Sequence, residues 1–597
     1  MSSFQSNTLL DPDNGTLSRH VHRWILLSVI AMYLNGCATP TAPNSATRVG
    51  ESPDYRVPIE RQLKANNSPE QMLNLDAILW AKNIVSERGW LFALAELEAL
   101  EPALLSTETE QFIRSQLLWL KGDTDKANTL LNQILASDED ELDLLLAERQ
   151  RRAVDKGDSI TAAKFALDRL GLTRSKAGSI THSEVFNLLS MASESQIAAE
   201  LRRTEPSSDW AAWLSLNRAY RKGRQEVLQW RASHPTMPSG LMDLPSGLST
   251  WLNDDLPTRV AVLLPLSGRL KDVGSTILQG ISEGFFVTYR DVDLRPQLIT
   301  IDTEVTGSGS DAYLEALERG ADFVIGPLTK ERVTEIRTLD NLPIPVLALN
   351  RGAADAGKEL SSEQPFLSLS LAPEDEAIQL ASLVWREGLR QPMVIVPDSV
   401  WGERMLAAFD SAWRILGGEL RAVTKLTSET NDNESIARDL ATLQSESRIN
   451  EVEKAFEAPV DSQARRRTDL DSVVLLTPTP QMARETRPLL RFHYAGKLPV
   501  FAPSTIYKAE SSIANRDLNG LKFVLRPSAF STDPQRSQSL YALGLDAAAL
   551  IEHFNQAEET RGTLLFGEIG DLSVDENGNV RRRLQPAVIA RGKARPI

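Results

Sequence analysis

The chain has 597 residues, of which 24% are charged and 42% hydrophobic, a composition typical of globular domains and not of disordered or fibrous chains. Its 65 Lys and Arg residues against 80 Asp and Glu residues give a formal net charge of -15, which argues against nucleic-acid binding and against adhesion to anionic lipid through charge alone. The single cysteine, Cys37, excludes an internal disulfide framework and a thiolate metal cage.

The N-terminal segment carries a targeting pattern. A basic stretch precedes the apolar run 24–34, which is too short to span a bilayer because a helical span needs about 20 residues. Asn35-Gly36-Cys37 follows, an arrangement that resembles the lipobox of bacterial lipoproteins, in which the cysteine is acylated and becomes the first mature residue. We therefore predict a signal peptide over residues 1–36 and a lipidated Cys37. The alternative is a plain signal peptide with an incidental free cysteine.

The residues after Cys37 predict an anchor and a tether. Ala38, in place of an aspartate, resembles lipoproteins that are passed on to the outer membrane. Residues 37–59 are rich in Pro, Ser, Thr and Ala, the composition of a flexible spacer. Several acyl chains on one cysteine anchor a protein durably, whereas a single chain binds only marginally. We therefore expect a body on the periplasmic side of the outer membrane, held there by lipid.

Residues 60–235 show helical patterning with a recurring turn. A basic residue followed by glycine occurs four times, and the glycines are spaced by 33, 35 and 66 residues, so that one turn is missing near Ser193. A period of about 34 residues is typical of tetratricopeptide-like solenoids, which present concave surfaces to proteins or polymers. We predict such a solenoid over 60–235, with a generic helical bundle as the alternative. The pairs are Arg88-Gly89, Lys121-Gly122, Lys156-Gly157 and Lys222-Gly223.

A Pro- and Gly-rich stretch, 236–257, predicts a linker, and the pattern changes after it. Over 258–597, short Val, Ile and Leu runs alternate with helical stretches, which is typical of parallel sheets covered on both faces. So long a segment exceeds one sheet and favours two doubly wound lobes. The strand runs are 259–266, 298–302, 323–326, 345–349, 393–397, 472–477 and 500–503, and helices are predicted at 274–289, 309–319, 374–388 and 400–416.

Several strings in this half resemble known families. The segments 264–268 and 326–328, each after a strand, resemble the type I periplasmic binding proteins, and 567–582 resembles the late hairpin of that fold, with a tight turn at Asn577-Gly578. Strings at 346–350, 373–377, 465–471 and 498–507 resemble the LpoA family of outer-membrane lipoproteins, in which a tetratricopeptide-like domain precedes a binding-protein-like one. The strand end 525–528 departs from that family's pattern.

The resemblance to the LpoA family implies a function without chemistry of its own. Members activate penicillin-binding protein 1a, a bifunctional class A peptidoglycan synthase, so we expect this chain to bind that partner and stimulate its transpeptidase activity. An activator needs only to bind the synthase's active conformation preferentially. Whether the solenoid also binds peptidoglycan or serves as a spacer stays open.

A search for catalytic motifs supports the expectation of a non-enzyme. The string 280–284 reads G-x-S-x-G but lies in a predicted helix, whereas a nucleophile elbow needs a strand-to-helix turn. The sequence has no His-Glu-x-x-His and no phosphate loop, and its six histidines suggest no ligand set. The acidic residues 374–376 begin a predicted helix, where they stabilise the helix dipole. We expect no catalytic residue, no metal and no cofactor.

The alternative function is a periplasmic solute-binding receptor for an amino-acid-like or amide ligand. In this fold a ligand lies between the lobes, at loops that follow the carboxyl ends of strands. Few of the residues at those places are polar. The candidate cleft residues are Ser267, Gly268, Gly326, Thr329, Asn350, Asp398, Trp401 and Tyr507.

The charged stretch 444–471 is long for a connection inside a compact domain. Arg465, Arg466 and Arg467 within it could pair with acidic residues of a partner. We therefore predict a docking surface at these arginines, with a solvated, partly helical insertion as the alternative.

Overall fold

The computed structural model describes most of the chain after residue 72. The predicted signal peptide, Cys37 and tether lie outside the described residues. None of the helices in the described part is both long and apolar enough to cross a membrane. The described ranges are 73–100, 104–172, 181–235, 244–253, 255–289, 295–352, 365–427, 432–456, 463–559 and 563–597.

The first half of the described chain is helical. Pairs of antiparallel helices follow one another, and their apolar faces form two clusters, one around Phe112 and Leu117 and one around Trp213 and Tyr220. The helices are α1 (Leu75–Arg88), α2 (Trp90–Ala99), α3 (Thr107–Lys121), α4 (Thr124–Gln133), α5 (Glu139–Asp155), α6 (Ser159–Leu170), α7 (His182–Ser190), α8 (Glu194–Leu201), α9 (Asp209–Lys222), α10 (Arg224–Ser233) and α11 (Ser246–Asn253).

The predicted tetratricopeptide-like repeat is confirmed. Each of the four glycines separates the two helices of a pair and has a positive φ, between 73° and 126°, which a glycine adopts without steric cost. The turn without glycine also lies where the period places it, because Ser193 begins α8 with a capping box. The regular spacing of the turns along the sequence was therefore sufficient to predict the helix pairs of this half.

Two details of the helical half were not anticipated. The first is the set of buried alanines: in α2 Ala93 is buried and Ala95 is exposed, and Ala127 of α4 and Ala163 of α6 are also buried. In addition, α11 lies within the predicted linker 236–257, where Trp251 is only 1% exposed and packs in the helical core. The described part of that segment is thus packed structure.

The second half contains two sheets, one in each lobe. The first lobe has the strand order β11-β12-β13-β5-β4-β3-β1-β2, and the second has β15-β14-β10-β9-β8-β6-β7. The strands are β1 (Arg259–Leu264), β2 (Gln297–Asp302), β3 (Phe323–Ile325), β4 (Val346–Ala348), β5 (Phe366–Leu369), β6 (Pro392–Pro397), β7 (Ala422–Leu426), β8 (Ser472–Leu475), β9 (Val500–Ala502), β10 (Lys522–Leu525), β11 (Leu565–Phe566), β12 (Asp571–Val574), β13 (Asn579–Arg583), β14 (Gln585–Ala590) and β15 (Lys593–Pro596).

Each sheet is doubly wound about its first strand. Strand β1 pairs in parallel with β2 on one side and β3 on the other, and β6 does the same with β7 and β8. The crevice of such a sheet opens where the strand order reverses. The helices are α12 (Lys271–Thr288), α13 (Gly309–Glu318), α14 (Lys330–Arg337), α15 (Glu374–Arg386), α16 (Val400–Ile415), α17 (Asp432–Asp439), α18 (Thr442–Phe456), α19 (Pro480–Phe492), α20 (Ser539–Leu550) and α21 (Gln556–Glu559).

The chain crosses between the lobes three times. The crossovers are 370–373, between β5 and α15; 526–538, between β10 and α20; and Leu584, between β13 and β14. The predicted late hairpin is also present: β12 and β13 pair antiparallel, and the Gly578 amide donates to the Asp575 carbonyl at the turn.

The G-x-S-x-G string has a structural role. It lies inside α12, as predicted, at the crossing of α12 with α20. A Cβ on Gly280 would lie 2.1 Å from the carbonyl oxygen of Tyr541, and one on Gly284 would lie 2.7 Å from the Ala548 side chain. These two glycines allow the helices to approach closely, which accounts for the motif without any nucleophile.

Candidate functional site

The first candidate cleft residues follow strand β1. Ser267 hydrogen-bonds the carboxylate of Asp302, and Gly268 lies beside Glu304, whose carboxylate would be 3.1 Å from a Cβ at that position. Burial acts to raise the pKa of Asp302, but hydrogen bonds from Ser267 and from the amides of Leu266 and Glu304 hold it below its usual value. The Ser267 hydroxyl therefore joins the loop after β1 to the end of β2, within one lobe.

The next three candidates follow β3 and β4. Gly326 is buried, and a Cβ there would lie 2.2 Å from a carbonyl oxygen of β1. Thr329 precedes α14, but its hydroxyl makes no capping hydrogen bond. The Asn350 side chain is engaged twice: its Nδ2 donates to the Leu328 carbonyl and its Oδ1 accepts from the Arg351 amide, each at 2.9 Å. Asn350 therefore ties two loops of one lobe together.

The candidates in the second lobe are dispersed. Asp398 is exposed, with an oxygen 3.7 Å from the Lys425 ammonium, and Trp401 is half-buried against the core of its own lobe. The Tyr507 hydroxyl accepts from the amide of Ala594 at 3.2 Å. Ala594 lies in β15, the edge strand at the other end of the sheet from β7, so Tyr507 is far along the sheet from Asp398. The proposed set of cleft residues thus remains a prediction, and most of its polar groups bind within their own lobe.

An ion cluster around the buried Asp375 joins the lobes at the first crossover. The carboxylate of Asp375, in the first turn of α15, accepts from the Arg351 guanidinium at 2.9 and 3.1 Å and from Arg581 Nη1 at 3.0 Å. Both arginines belong to the first lobe and α15 to the second. Arg582 adds a hydrogen bond to the Ala372 carbonyl within the crossover, at 2.9 Å. Asp375 therefore bridges the lobes in addition to its place near the helix dipole.

The neighbouring acid binds mainly within the second lobe. Glu376 accepts from both the amide and the hydroxyl of Ser504, at 2.6 and 2.9 Å. Burial raises the pKa of Glu376, although Arg582 nearby acts to lower it. The Gln379 side chain then hydrogen-bonds both the amide and the carbonyl of Leu584, at the third crossover. The sequence signal for these contacts was the acidic run 374–376, which we had interpreted through the helix dipole alone.

The helical half packs on the first lobe through aromatic side chains. The Tyr220 hydroxyl donates to the Leu564 carbonyl at 2.6 Å, and Trp251 stacks on His553 with ring centroids 5.0 Å apart. Burial lowers the pKa of His553 to about 4, although its hydrogen bond to Gln556 acts to raise it. We define the aromatic contact as Tyr220, Arg221 and Trp251 of the helical half with His553, Leu564 and Phe566 of the first lobe.

Two arginines complete the aromatic contact. The Arg221 guanidinium lies 3.8 Å from the ring centroid of Phe566, a cation–π geometry. Arg583 pairs with Asp571 in its own sheet and donates from Nη1 to the Met191 carbonyl of the helical half at 2.6 Å. Because Arg583 ends strand β13, this contact reaches the third crossover.

The helical half also packs on the second lobe, and here the turn glycines approach it closely. A Cβ on Gly122 would lie 2.8 Å from the carbonyl oxygen of Gly388, and one on Gly157 would lie 3.0 Å from the Arg386 guanidinium carbon. We define the glycine contact as Trp119, Leu120, Gly122, Asp155 and Gly157 of the helical half with Arg386, Gly388, Arg390 and Gly417 of the second lobe.

Arg390 is the central side chain of the glycine contact. It donates from Nη1 to two carbonyls of its own lobe and from Nη2 to the Trp119 carbonyl at 3.3 Å. Burial lowers the pKa of Arg390 to about 10, with Asp155 and Asp471 acting against it. Asp155 in turn accepts from the indole of Trp119 at 3.1 Å. The helical half thus contacts both lobes at separate places.

The predicted docking arginines differ from one another. Arg466 donates from Nη1 to the carbonyls of Arg467 and Leu470, and Arg467 pairs with Asp469, so both hold their own loop. The Arg465 residue is exposed, and its backbone amide is anchored to α18. Of the three, Arg465 has the side chain best placed to meet a partner.

No metal centre is formed among the described residues: they contain no group of three or more His, Cys, Asp or Glu arranged to hold an ion. What the geometry does provide is a two-lobed α/β domain like the type I periplasmic binding proteins, braced by a helical solenoid. The chain belongs to the LppC putative lipoprotein family, whose model matches residues 64–592.

Named relatives extend this assignment. A penicillin-binding protein activator LpoA from Photobacterium profundum is 28% identical over 389 residues, which are 61% of this chain and 61% of that protein. The activator LpoA of Mannheimia succiniciproducens is 26% identical over 540 residues, 85% of this chain and 86% of that protein. The match therefore spans less than two thirds of the Photobacterium protein but most of the Mannheimia one.

A solved structure has the same fold. Full-length LpoA from Haemophilus influenzae matches with a TM-score of 0.50 and 20% sequence identity, covering 92% of this chain and 98% of that one. The match includes both the helical and the two-lobed parts, which confirms the predicted fold class for the whole described chain.

Proposed function

We propose that this chain is an outer-membrane lipoprotein that binds a class A penicillin-binding protein, penicillin-binding protein 1a, and stimulates its transpeptidase activity. The observation that carries the proposal is the match to the Mannheimia activator, which includes both halves of the chain. A relative that shared only the two-lobed domain would be equally compatible with a solute receptor. The helical half and its contacts with both lobes favour the activator.

The proposed mechanism is binding without chemistry. Activation requires a surface that prefers the synthase's active conformation, because a ligand shifts an equilibrium only by its difference in affinity between two states. A body braced at both lobes and at the Asp375 cluster is suited to that task, since a rigid surface loses little conformational entropy on binding. Polar groups of the cleft, such as those of Asn350, already have intramolecular partners.

The proposed anchor sets where this body can act. Acylated Cys37 would hold the chain on the periplasmic side of the outer membrane, with residues 37–59 as the tether to the body. The helical half would add further reach toward a synthase in the inner membrane. Cys37→Ser should abolish acylation and remove the protein from the outer-membrane fraction, whereas Ser45→Ala in the same tether should leave it there.

Binding to the purified partner tests the proposal. The chain from residue 38 onward is immobilised, and a detergent-solubilised class A synthase is titrated over it. We expect saturable binding, and we expect Arg465→Glu to weaken it while Arg414→Glu, an exposed charge on α16, has little effect. Stabilisation of the chain by a free amino acid or amide, without synthase binding, would contradict the proposal.

A further inference from the structure

Strand β2 is the last strand at one end of the first lobe's sheet, and its outer edge is open. It pairs in parallel with β1, and none of the described strands pairs with its other side. The amides of Gln297 and Thr303 donate to carbonyls of the β1 segment at 2.8 and 2.9 Å. Because amides alternate in direction along a strand, those of Leu298, Thr300 and Asp302 point outward. Such an edge is a ready-made template for one more strand.

The other three sheet edges among the described strands carry features that oppose strand addition. Strand β7 has an exposed lysine, Lys425, and β11 has only two residues. Strand β15 contains Lys593, Arg595 and Pro596. Lysine, proline and short length are the usual means by which proteins protect a sheet edge. Strand β2, with the sequence QLITID, is six residues long and has no Lys, Arg, Pro or Gly, so it lacks this protection.

The side chains beside the open edge leave room for another strand. Thr300 is exposed, and its carbonyl accepts from Nη1 of the half-exposed Arg319 at 3.3 Å. On the other face of the sheet, Phe286 is 62% exposed and lies about 200° around α12 from Gly284, which faces α20. The guanidinium of Arg295, just before β2, lies 4.3 Å from the Phe286 ring centroid. An incoming strand can therefore replace Arg319 at the Thr300 carbonyl and find an apolar ring near the start of the edge.

The surroundings of the open edge are acidic. Residues 255–322, which include β1, α12, β2 and α13, contain eleven Asp or Glu residues and six Lys or Arg residues. Helix α13 contributes Asp311, Glu315 and Glu318, and Arg319 follows it as the cation that reaches the edge. The formal net charge of the whole chain, -15, has the same sign. The local charge and the total charge therefore both favour a basic partner.

We propose that the open edge of β2 is a docking site that binds an extended, basic segment of a partner protein as an additional strand. Backbone hydrogen bonds along the edge supply the affinity, as in other complexes formed by strand addition. The proposal rests on the proposed function, in which the partner is the class A synthase. A second copy of this chain would bring the same acidic surroundings and a net charge of -15 to the edge, so the basic segment is the favoured occupant.

Proline at position 300 tests the backbone pairing. Thr300→Pro, in the chain from residue 38 onward, removes an amide that points away from β1, so the hydrogen bonds between β1 and β2 are retained. This variant should weaken binding of the purified synthase by about tenfold or more. Thr300→Val keeps the amide and should bind within about twofold of the wild type. Urea unfolding of both variants checks that the fold is retained.

A pair of charged variants at the same position tests the basic character of the occupant, and it serves also if proline lowers the urea midpoint. Thr300→Lys keeps the amide and places a cation where a basic segment docks, whereas Thr300→Glu places an anion there. The Lys variant should bind the synthase about fivefold more weakly than the Glu variant, and added salt should reduce the difference. Equal affinities of the two variants would overturn the basic occupant.

The remaining outcomes separate the possible failures. Unchanged affinity of a folded Thr300→Pro variant would overturn the docking edge and leave the proposed function standing. Absence of wild-type binding would overturn both. Sedimentation equilibrium of the chain without synthase tests the second copy as occupant. Self-association of the wild type that Thr300→Pro abolishes, with unchanged affinity for the synthase, would assign the edge to a second copy and overturn the proposal.

Discussion

The helical half is joined to the two lobes by contacts of opposite character. The aromatic contact on the first lobe consists of large rings, with Tyr220, Trp251 and His553 all buried. The glycine contact on the second lobe consists of backbone and cations, with Gly122 against Gly388 and Arg390 on a carbonyl. The aromatic contact depends on large side chains, whereas the glycine contact depends on residues that have no side chain.

The difference shows how the helical half can brace a two-lobed domain at two places. Ring packing buries apolar area and contributes most of the stability, whereas backbone apposition fixes distance and angle with little area. Since the two contacts lie on different lobes, movement of one lobe against the other must strain at least one of them. The predictions below separate the two contacts, beginning with the larger effect.

Removal of the central ring should have the largest effect. Tyr220→Ala deletes a buried aromatic side chain that contacts Trp251, His553 and Phe566, and should lower the free energy of unfolding by about 4 kcal/mol. Tyr220→Phe retains the ring and loses only the hydroxyl donor to Leu564, so it should cost about 1 kcal/mol. Urea unfolding measures both. Equal values for the two variants would show that the ring packing contributes little.

Acidification should weaken the aromatic contact selectively. The pKa of His553 is lowered to about 4 from 6.5, so the unfolded chain takes up the proton first, and stability present above pH 6.5 is lost as the pH falls toward 4. The loss should approach about 3 kcal/mol. The pKa of Asp155 in the glycine contact is raised by burial, so its contribution is lost as the pH rises, not as it falls.

A variant isolates the histidine from other titrating groups. Burial also raises the pKa of Asp546, in the first lobe, to about 7, which lowers stability as the pH rises from about 4 to 7. The difference between wild type and His553→Gln removes that common slope. We expect this difference to change between pH 6.5 and 4, and a difference independent of pH would contradict the assigned burial of a neutral His553.

Adding one methyl group to the glycine contact should lower the free energy of unfolding by less than Tyr220→Ala does. Gly122 has a φ of 96° and a Cβ there meets the Gly388 carbonyl at 2.8 Å, whereas Gly89 has a φ of 85° with nothing within 4 Å. Both alanine variants suffer the left-handed backbone, so Gly122→Ala should be less stable than Gly89→Ala by about 2 kcal/mol. Equal stabilities of the two variants would show that the second lobe accommodates the added methyl group without loss of free energy.

Much of this fold could be predicted from the sequence because its signals are local. The turn glycines and the Val- and Ile-rich runs located the helix pairs and β1 to β4, β6, β8 and β9. Strands β5 and β7 were missed because FLSL and AVTKL are short and include polar residues. The Leu248 and Trp251 helix was missed because the surrounding Pro and Gly indicated a linker.

The contacts between elements could not be predicted in the same way. Asp375 and Arg581 are 206 positions apart in the sequence, and Tyr220 and Leu564 are 344 apart. No local sequence pattern predicts either contact. The acidic run 374–376 and the buried-type residues Tyr220 and His553 were visible, but their partners were not. Likewise the sequence does not distinguish Arg466 and Arg467 from Arg465. The structure shows that Arg466 and Arg467 bind groups of their own loop.

Cross-linking of peptidoglycan by a purified class A synthase, with and without the mature chain, tests the central proposal most directly. Because we expect the chain to act by binding alone, it should raise the fraction of cross-linked peptides saturably, and it should release nothing from peptidoglycan when the synthase is absent. Unchanged cross-linking at a concentration that saturates binding, or digestion of peptidoglycan by the chain alone, would contradict the account.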